Sequence, residues 1–210
     1  ICLTRWPSKP FQSPSNPTQT TPPLMVEYDR NQLQAAPGSA GLKICIVGVG
    51  GSGSNVLDRI TLDKTVDANL ICTHTDIRVL GHSMAPVKLQ LGGELMRGVG
   101  AGGDPDLGRE AALFSRDAIR NALQGFDIIF ICTGLGGGTG SGASPVIAEI
   151  AKTTGALVLV VATMPFSFEG RRRVNQAEEA LELLQKRADA LILFENNRMG
   201  ELILPKDGIQ

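Results

Sequence analysis

A glycine-rich loop in the middle of the chain is the feature best suited to chemistry. Residues 134–142 read Gly-Leu-Gly-Gly-Gly-Thr-Gly-Ser-Gly, with six glycines in nine positions. Consecutive backbone N–H groups in such a loop form a concave site for anions, and the hydroxyls of Thr139 and Ser141 add further donors. Because the loop lies between an apolar run and a helical pattern, a flexible linker does not explain it. The pattern predicts a cradle for a di- or triphosphate.

A second glycine loop follows the first apolar run of the chain. Residues 48–55 read Gly-Val-Gly-Gly-Ser-Gly-Ser-Asn, so that the first, third and sixth positions fit the dinucleotide fingerprint Gly-x-Gly-x-x-Gly. Asp67 and Asp76 lie near the distance at which a ribose-binding acid is expected. Taken alone, this loop favours the NAD-type site of an oxidoreductase.

A third loop, at residues 97–105, reads Arg-Gly-Val-Gly-Ala-Gly-Gly-Asp-Pro and could add N–H groups to a terminal phosphate. The chain contains no Gly-x-x-x-x-Gly-Lys-Ser/Thr motif, so a P-loop lysine does not hold the phosphates. Three glycine turns beside strand ends, each opening a helix, indicate one shared polyanionic ligand.

The elements that must position these loops alternate between strands and helices. Short runs rich in Ile, Val and Leu predict strands buried on both faces, as in a parallel sheet. These runs are residues 43–49, 68–73, 127–133, 157–163 and 191–194. The alternation predicts an α/β fold: a Rossmann-like, doubly wound, mostly parallel sheet with helices on both faces. Its ligand is expected at the carboxyl ends of the strands.

Apolar residues at three- and four-residue steps predict the helices. One helix is expected near Ser54, and another opens with Ala143-Ser144-Pro145. Asp104-Pro105 supplies an N-cap and a first-turn proline for a helix that follows the third loop. The periodic residues are Leu107, Ala111, Phe114, Ala118 and Ala122 for that helix, and Ala177, Leu181, Leu184 and Ala188 for a later one.

Composition excludes several classes of protein. The chain has 210 residues, 42% hydrophobic and 20% charged, and its net charge of −1 gives no reason to expect nucleic acid or an anionic membrane as partner. No apolar run reaches the ~20 residues of a membrane span. The cysteines form no Cys-x-x-Cys pair, and Cys45, Cys72 and Cys132 lie in strand-like runs, so buried, reduced thiols are expected rather than a metal site.

The first 40 residues differ from the rest of the chain. Seven of the twelve prolines lie there, among Ser, Thr, Gln and Asn, so residues 1–40 are predicted to be a disordered tail. Residues 41–210 are predicted to form the ligand-binding domain. Because the chain begins with Ile1 and stops at Gln210 without a closing element, a fragment of a longer protein is expected.

The motifs together resemble the FtsZ/tubulin family. Gly-Gly-Thr-Gly-Ser-Gly at residues 137–142 is similar to the signature loop that tubulin and FtsZ share. The resemblance continues in order through residues 48–51, Thr75-Asp76, residues 97–102, 127–149 and 165–173. It implies the N-terminal GTP-binding domain of an FtsZ or FtsZ-like protein, with GTP or GDP as ligand and Mg²⁺ beside the phosphates.

The resemblance also implies roles for individual residues. Glycines of the first two loops and Thr139 would contact phosphates, and a side chain at Gly138 is expected to occupy phosphate space. Asp76 and Gly102-Gly103 would lie near the γ-phosphate and its Mg²⁺. The implied nucleotide-binding residues up to the signature loop are Gly50, Gly51, Ser52, Asn55, Asp76, Gly102, Gly103, Gly137, Gly138, Thr139 and Gly140.

The remaining implied residues would hold the nucleoside. Glu169 would accept from the ribose hydroxyls, and Arg173 would lie beside the ribose or base. Asn55 and Asn196 would read the guanine edge, which suits amides because they donate and accept. No catalytic residue and no particular metal ligand is assigned within this chain.

The sequence departs from the family pattern at three places. His74 stands where an asparagine usually precedes Thr-Asp, and Glu195-Asn196-Asn197 replaces the usual Pro-Asn-Asp. Ser54 replaces a frequent asparagine. These changes could loosen nucleotide selectivity or mark a divergent branch of the family.

The resemblance implies a cytoskeletal subunit for bacterial cell division, which hydrolyses GTP only when it is full-length and assembled. In the family the central helix, the catalytic loop and the second domain follow the part matched here. The implied partners are further copies in a filament, with membranes reached only through adaptor proteins, and the implied location is the cytoplasm at the division site. Two alternatives stay open: an NAD-type oxidoreductase domain, and a non-catalytic FtsZ-like scaffold.

Overall fold

A six-stranded sheet forms the centre of the domain. The computed structural model describes residues 41–64 and 66–202, with residues 200–202 described only in their backbone course. The predicted tail at residues 1–40 lies outside the described residues. Every paired strand is parallel to its neighbours, as the apolar runs predicted. The strands are β1 (Ile44–Val49), β2 (Asn69–His74), β3 (Val87–Gln90), β4 (Ile128–Gly134), β5 (Leu157–Met164) and β6 (Ala190–Glu195).

The strand order is β3-β2-β1-β4-β5-β6, the order of doubly wound dinucleotide folds. The chain winds outward from β1 in one direction and, after β3, outward from β4 in the other. The crevice between the carboxyl ends of β1 and β4 is therefore the topological switch point, where such sheets bind ligands. The helices are α1 (Gly50–Asp63), α2 (Ile77–His82), α3 (Gly93–Met96), α4 (Pro105–Phe114), α5 (Arg116–Leu123), α6 (Gly138–Thr153), α7 (Arg171–Arg187) and α8 (Asn196–Leu202), with a 3₁₀ turn at Ser167–Glu169.

Two apolar cores, one on each face of the sheet, confirm the predicted doubly wound α/β fold. One face packs Val47 of β1 with Ile147 of α6 and Leu184 of α7. The other face packs Ile46 of β1 with Leu57 of α1. Alternate residues of one strand thus enter opposite cores, which explains why the strands read as continuous apolar runs rather than alternating ones.

The helix predicted from Leu107 to Ala122 is in fact two helices, α4 and α5, and its buried face differs from the predicted one. Ala111 is buried as predicted, but Leu107 and Phe114 are 41% and 58% exposed, and the unpredicted Gly108 and Ala112 are buried. A methyl group on Gly108 would overlap the carbonyl oxygen of Gly138, so α4 lies too close to α6 for larger side chains. Apart from Ala111, the apolar periodicity therefore marked the wrong face.

Two helices also begin earlier than the sequence indicated. α1 starts at Gly50 rather than near Ser54, and α6 starts at Gly138, which places Pro145 inside the helix rather than in its first turn. Glycine disfavours helix, which is why the loops were read as longer. Close packing overrides that preference, because a Cβ on Gly53 would lie 2.5 Å from the carbonyl oxygen of Cys132.

The sequence analysis did not predict β3, but it did predict that Cys45, Cys72 and Cys132 are buried. β3 is only four residues long, lies at the sheet edge and contains Lys88 and Gln90, so it has little apolar signal. Cys45, Cys72 and Cys132 are buried with free thiols, as predicted. Burial raises the pKa of Cys45 to about 12 and that of Cys132 to about 11, which makes both poor nucleophiles.

Candidate functional site

A cleft of about 420 Å³ opens at the carboxyl edge of the sheet, over the switch point between β1 and β4. All three glycine loops contribute to its lining, which is the convergence that the sequence predicted. Twelve of the fourteen residues expected to bind nucleotide line this cleft: Gly51, Ser52, Asp76, Gly102, Gly103, Gly137, Gly138, Thr139, Gly140, Glu169, Arg173 and Asn196.

The N-terminus of α6 supplies the main cradle. Gly137 is the N-cap and lies at the end of the loop that leaves β4. The first intrahelical bond that reaches back to it comes from Ser141, whose N–H donates to the Gly137 carbonyl at 3.2 Å. The N–H groups of the three residues between them have no carbonyl partner in the preceding turn of the helix. They lie at the positive end of the dipole of a 16-residue helix. They are therefore suited to an anion.

The glycines of the cradle fall into two groups. At Gly51, Gly102, Gly103 and Gly137, an added Cβ would meet no protein atom within 4 Å. The space beyond these four positions is open, and each lines the cleft. They are the places where a ligand could approach the backbone closely.

The other group packs the protein against itself. A Cβ on Gly138 would lie 2.8 Å from both the amide nitrogen and the carbonyl oxygen of Asp104, so the expectation that it would fill phosphate space is wrong. Gly137 has the open position instead. Gly50 does not line the cleft, and its Cβ would lie 3.0 Å from the Gly140 nitrogen, so it brings the N-termini of α1 and α6 together.

The third glycine loop is held at both ends and open in the middle. The Ile77 N–H donates to the Gly98 carbonyl at 3.1 Å, and the Ala101 N–H donates to the Thr75 hydroxyl at 3.1 Å. At the far end the Asp104 carboxylate accepts from the Asp106 N–H at 2.9 Å and caps α4, as predicted. Gly102 and Gly103, with φ of 56° and 83°, form the open tip between these anchors.

The two hydroxyls of the signature loop have different surroundings. Thr139 lines the cleft and shares a 2.7 Å hydrogen bond with the hydroxyl of Thr75. Ser141 is buried and accepts from the Gly136 N–H at 2.7 Å. Ser141 lies outside the lining of the large cleft, so its hydroxyl shapes the loop rather than facing a ligand.

His74 and Asp76 form the wall below the third loop. Asp76 accepts from the guanidinium of Arg78 at 2.8 Å, and the hydrogen bonds from Arg78 lower the pKa of that carboxyl to about 2. The Asp76 N–H donates to Nδ1 of His74 at 2.8 Å, which requires an unprotonated Nδ1. Burial lowers the pKa of His74, against the smaller opposing effect of the Asp76 carboxylate. His74 therefore lines the cleft as a neutral imidazole at pH 7.

The opposite rim consists of Glu169, Arg173 and Asn196. Glu169 accepts from the Phe166 N–H at 2.9 Å and from the guanidinium of Arg173, and these contacts lower its pKa in that order. Asn196 is the first residue of α8. Gln176 of α7 donates to the Gly103 carbonyl at 3.4 Å, which links this rim to the third loop.

Asn55 is the expected nucleoside-binding residue that the described structure does not bring into the large cleft. It is exposed on α1 and lines a second pocket of about 410 Å³, together with Asp58 and His82; Asp76 lines both this pocket and the cleft. Its proposed contact with the base stays a prediction. Sequence reasoning also missed lining residues at the end of β5, Thr163 to Pro165. The rule that ligands lie at the carboxyl ends of parallel strands could have found them.

Within residues 41–64 and 66–202, no group of three or more His, Cys, Asp or Glu side chains is arranged to hold a metal ion. Among the helices of those residues, none combines the length and the apolarity that a membrane crossing requires.

Comparison with known proteins gives concordant results. The profile of the tubulin/FtsZ family, GTPase domain, matches residues 43–203. The cell division protein FtsZ of Coxiella burnetii is 43% identical over 166 residues, which cover 79% of this chain and 42% of that protein.

Two solved structures extend the comparison to the fold. The empty FtsZ dimer of M. jannaschii has a TM-score of 0.78 and 40% identity, covering 85% of this chain and 51% of that one. The GTPγS-bound protofilament of CetZ2 from Haloferax volcanii has a TM-score of 0.70 and 25% identity, covering 80% of this chain and 52% of that one.

The sheet order and the glycine-lined cleft define a doubly wound α/β domain with an anion cradle at its switch point. The chain belongs to the tubulin/FtsZ family and carries its GTPase domain. It is homologous to cell division proteins, and it spans less than half the length of the curated relative described above.

The two groups of glycines predict opposite effects for neighbouring substitutions. Gly137→Val should weaken nucleotide binding about tenfold or more, a loss of at least ~1.4 kcal/mol, because its side chain would enter the cleft. Its φ of −102° suits any residue, so stability should change by less than about 0.5 kcal/mol. Gly138→Val should instead destabilise the fold by about 1–3 kcal/mol, through overlap with the Asp104 backbone. Urea unfolding and nucleotide titration of both variants check this, and the reverse pattern would contradict the grouping.

His74 predicts a loss of stability in mild acid. Its pKa is lower in the folded chain than the ordinary 6.5, so the unfolded chain binds more protons as the pH falls below about 6.5 and the folded state loses stability. In His74→Asn the side chain can still accept from the Asp76 N–H but does not titrate. The loss of unfolding free energy between pH 7 and 5.5 should therefore be smaller in this variant than in the parent. Equal losses in urea unfolding would show that His74 does not cause it.

Proposed function

We propose that this chain is the GTP-binding half of a filament-forming GTPase. The observation that carries the proposal is the convergence of three glycine loops, with open positions at Gly51, Gly137, Gly102 and Gly103, on one cleft at the switch point. Family membership supports GTP and GDP as the nucleotides.

The phosphates would lie over the N-termini of α1 and α6. There the N–H groups of Gly51, Ser52, Gly137, Gly138, Thr139 and Gly140 would surround them, and the helix dipoles would favour their charge. Gly50 would act indirectly, by holding the two helix ends together. The terminal phosphate would reach the open tip at Gly102 and Gly103.

The nucleoside would extend toward the opposite rim. Glu169 has acceptor capacity beyond its bonds to Phe166 and Arg173, and it would receive the ribose hydroxyls. Arg173 would lie beside the sugar or base. Asn196 would read the guanine edge. Asn55 would do so as well if the base extended beyond the cleft to the exposed side of α1.

Mg²⁺ fits the wall of the cleft as an ion held mainly by phosphate oxygens and water. Such an ion usually takes one or two carboxylates from the protein and neutralises charge on the phosphates. Asp76 lines the cleft beside the third loop, since a Cβ on Gly100 would lie 3.6 Å from its Oδ2, and both of its oxygens accept from Arg78. Asp76 would therefore contact the ion through water, or after Arg78 has moved away.

Hydrolysis would depend on a second copy of the longer protein. Among the described residues, the carboxylates that line the cleft, Asp76 and Glu169, are engaged by neighbouring arginines. We assign neither as the group that positions the attacking water. That group would come from a neighbouring subunit, which makes self-association a condition for turnover. CetZ2, which is similar to this chain, forms a protofilament with GTPγS bound, and this supports self-association of the longer protein.

The cellular role follows from the FtsZ relatives. We infer a part in cell division, in a cytoplasmic filament at the division site, with membranes reached through adaptor proteins. This chain is similar to FtsZ of the bacterium Coxiella burnetii and also to FtsZ of the archaeon M. jannaschii. Because the relatives include both groups, a role in bacterial division is part of the proposal. No feature of the cleft calls for nucleic acid.

Nucleotide choice is the first test. At a GTP concentration about 100-fold above Kd, binding should add ~2.7 kcal/mol to stability and raise Tm by about 5–10 °C. ATP and NADH at the same concentration should raise Tm much less. Thermal unfolding of the full chain measures this, with Gly137→Val as the control that blocks the cleft. Equal or larger protection by NADH would favour the dinucleotide oxidoreductase and contradict the proposal.

Assembly-dependent turnover is the second test. In the longer protein that contains this chain, phosphate release from GTP should rise more steeply than linearly with protein concentration, because each site needs a neighbour. The measurement is phosphate release across a concentration series. A rate that is proportional to concentration would place catalysis within one subunit. GTP binding without release would favour the non-catalytic scaffold, which the departures at His74 and Asn197 suggested.

A further inference from the structure

We propose that the buried Thr75 is a positioning residue that couples the third glycine loop to the first turn of α6. Through this coupling, the site would hold a nucleoside triphosphate more tightly relative to the diphosphate. The inference rests on the proposed function, because it assigns a further residue to the same site.

Thr75 lies where three segments of the site meet. It follows directly after β2 and is completely buried. Its hydroxyl lies 2.7 Å from the hydroxyl of Thr139, and it accepts from the Ala101 N–H at 3.1 Å. Thr139 belongs to α6 and Ala101 to the third loop, so one side chain connects both loops to the end of β2.

The hydrogen-bond inventory sets the direction of this connection. A hydroxyl has one proton to donate, and the Thr75 oxygen already accepts from Ala101. Among the described residues, the hydroxyl of Thr139 is the acceptor that Thr75 contacts. If Thr139 donated to Thr75, the proton of Thr75 would be buried without a partner, which is costly. Thr75 therefore donates to Thr139 and leaves the proton of Thr139 free to face the cleft.

The same hydroxyl fixes one end of the loop tip. Gly102 and Gly103 lie between Ala101, which is anchored on Thr75, and Asp104, which caps α4. The terminal phosphate is expected at this tip, whereas the phosphates that GTP and GDP share are expected at α6. Loss of the Thr75 hydroxyl would remove the anchor of the tip at Ala101, although the Gln176 side chain still donates to the Gly103 carbonyl. It would also release the Thr139 hydroxyl, at α6, where both nucleotides are expected to bind. Because only a triphosphate is expected to reach the tip, it should suffer more than a diphosphate.

Thr73 provides a matched control for a merely structural role. It lies two residues earlier on β2, is 1% exposed, and donates to the Gly48 carbonyl at 3.1 Å. Thr73→Val and Thr75→Val both replace a buried, hydrogen-bonded hydroxyl by a methyl group of similar size. Among the described residues, the Thr73 hydroxyl is hydrogen-bonded to β1 and to neither α6 nor the third loop.

The test is calorimetric titration of the full chain with GTP and with GDP, for the parent, Thr75→Val, Thr75→Ser and Thr73→Val. Thr75→Val should weaken GTP binding about tenfold or more, which is the effect expected for one or two lost hydrogen bonds near a charged ligand. It should weaken GDP binding less than about threefold. Thr75→Ser keeps the hydroxyl and should restore the parental ratio. Thr73→Val should change both affinities by the same small factor.

The outcomes separate this inference from the proposed function. A parent chain that binds neither nucleotide overturns the proposed function and the inference together. A parent that binds both, with Thr75→Val lowering both affinities equally, overturns only the inference. If Thr75→Val does not fold, amide hydrogen exchange of the parent decides. The Ala101 amide should exchange more slowly with GTP bound than with GDP bound, and equal rates overturn the coupling.

Discussion

Direct contact between backbones, made possible by glycine, is the constraint on which the rest of this domain depends. Gly108, Gly138 and Gly142 let α4 and α6 approach until a single methyl group would overlap a neighbouring carbonyl or amide. Gly140 in the same way lies against the end of β4. The contact between Gly50 and Gly140 then places the first turn of α6 beside α1 at the carboxyl edge of the sheet. Two helix N-termini then contribute positive potential to one cleft, where either alone would be a weak anion site.

The electrostatics of the cleft follow from that arrangement. Its two carboxylates, Asp76 and Glu169, are paired with Arg78 and Arg173, and both have lowered pKa values. Pairing reduces the repulsion that a bare carboxylate would exert on a polyphosphate. Since the sequence contains no P-loop lysine motif, the partners proposed for the phosphates are chiefly backbone N–H groups. Helix packing sets their positions, so the cradle would be in place before a ligand binds.

The sequence predicted the strands, the doubly wound fold and the cleft well, because long apolar runs and glycine turns at strand ends have few alternative explanations. It failed where glycine acted as a packing residue. Periodicity assigned Leu107 and Phe114 to the buried face of α4, since no propensity rule expects a helix contact made of glycine and alanine. The directions of the Ser141 and Asn55 side chains depend on the rotation of α6 and α1 about their own axes. Local sequence contains little information about that rotation.

The departures from the family pattern acquire a physical meaning from the same constraint. His74 and Asn197 are side-chain changes, whereas the phosphate cradle is built from backbone that requires only glycine at fixed places. His74 replaces an amide with an imidazole whose Nδ1 still accepts from the Asp76 N–H, so the turn into the third loop is maintained. Asn197 accepts from the Ser167 N–H and thereby connects α8 to the 3₁₀ turn that contains Glu169. Divergence at Asn197 would bear on the rim proposed for the nucleoside, and divergence at His74 on the wall below the third loop. The cradle proposed for the other phosphates is backbone and needs neither side chain.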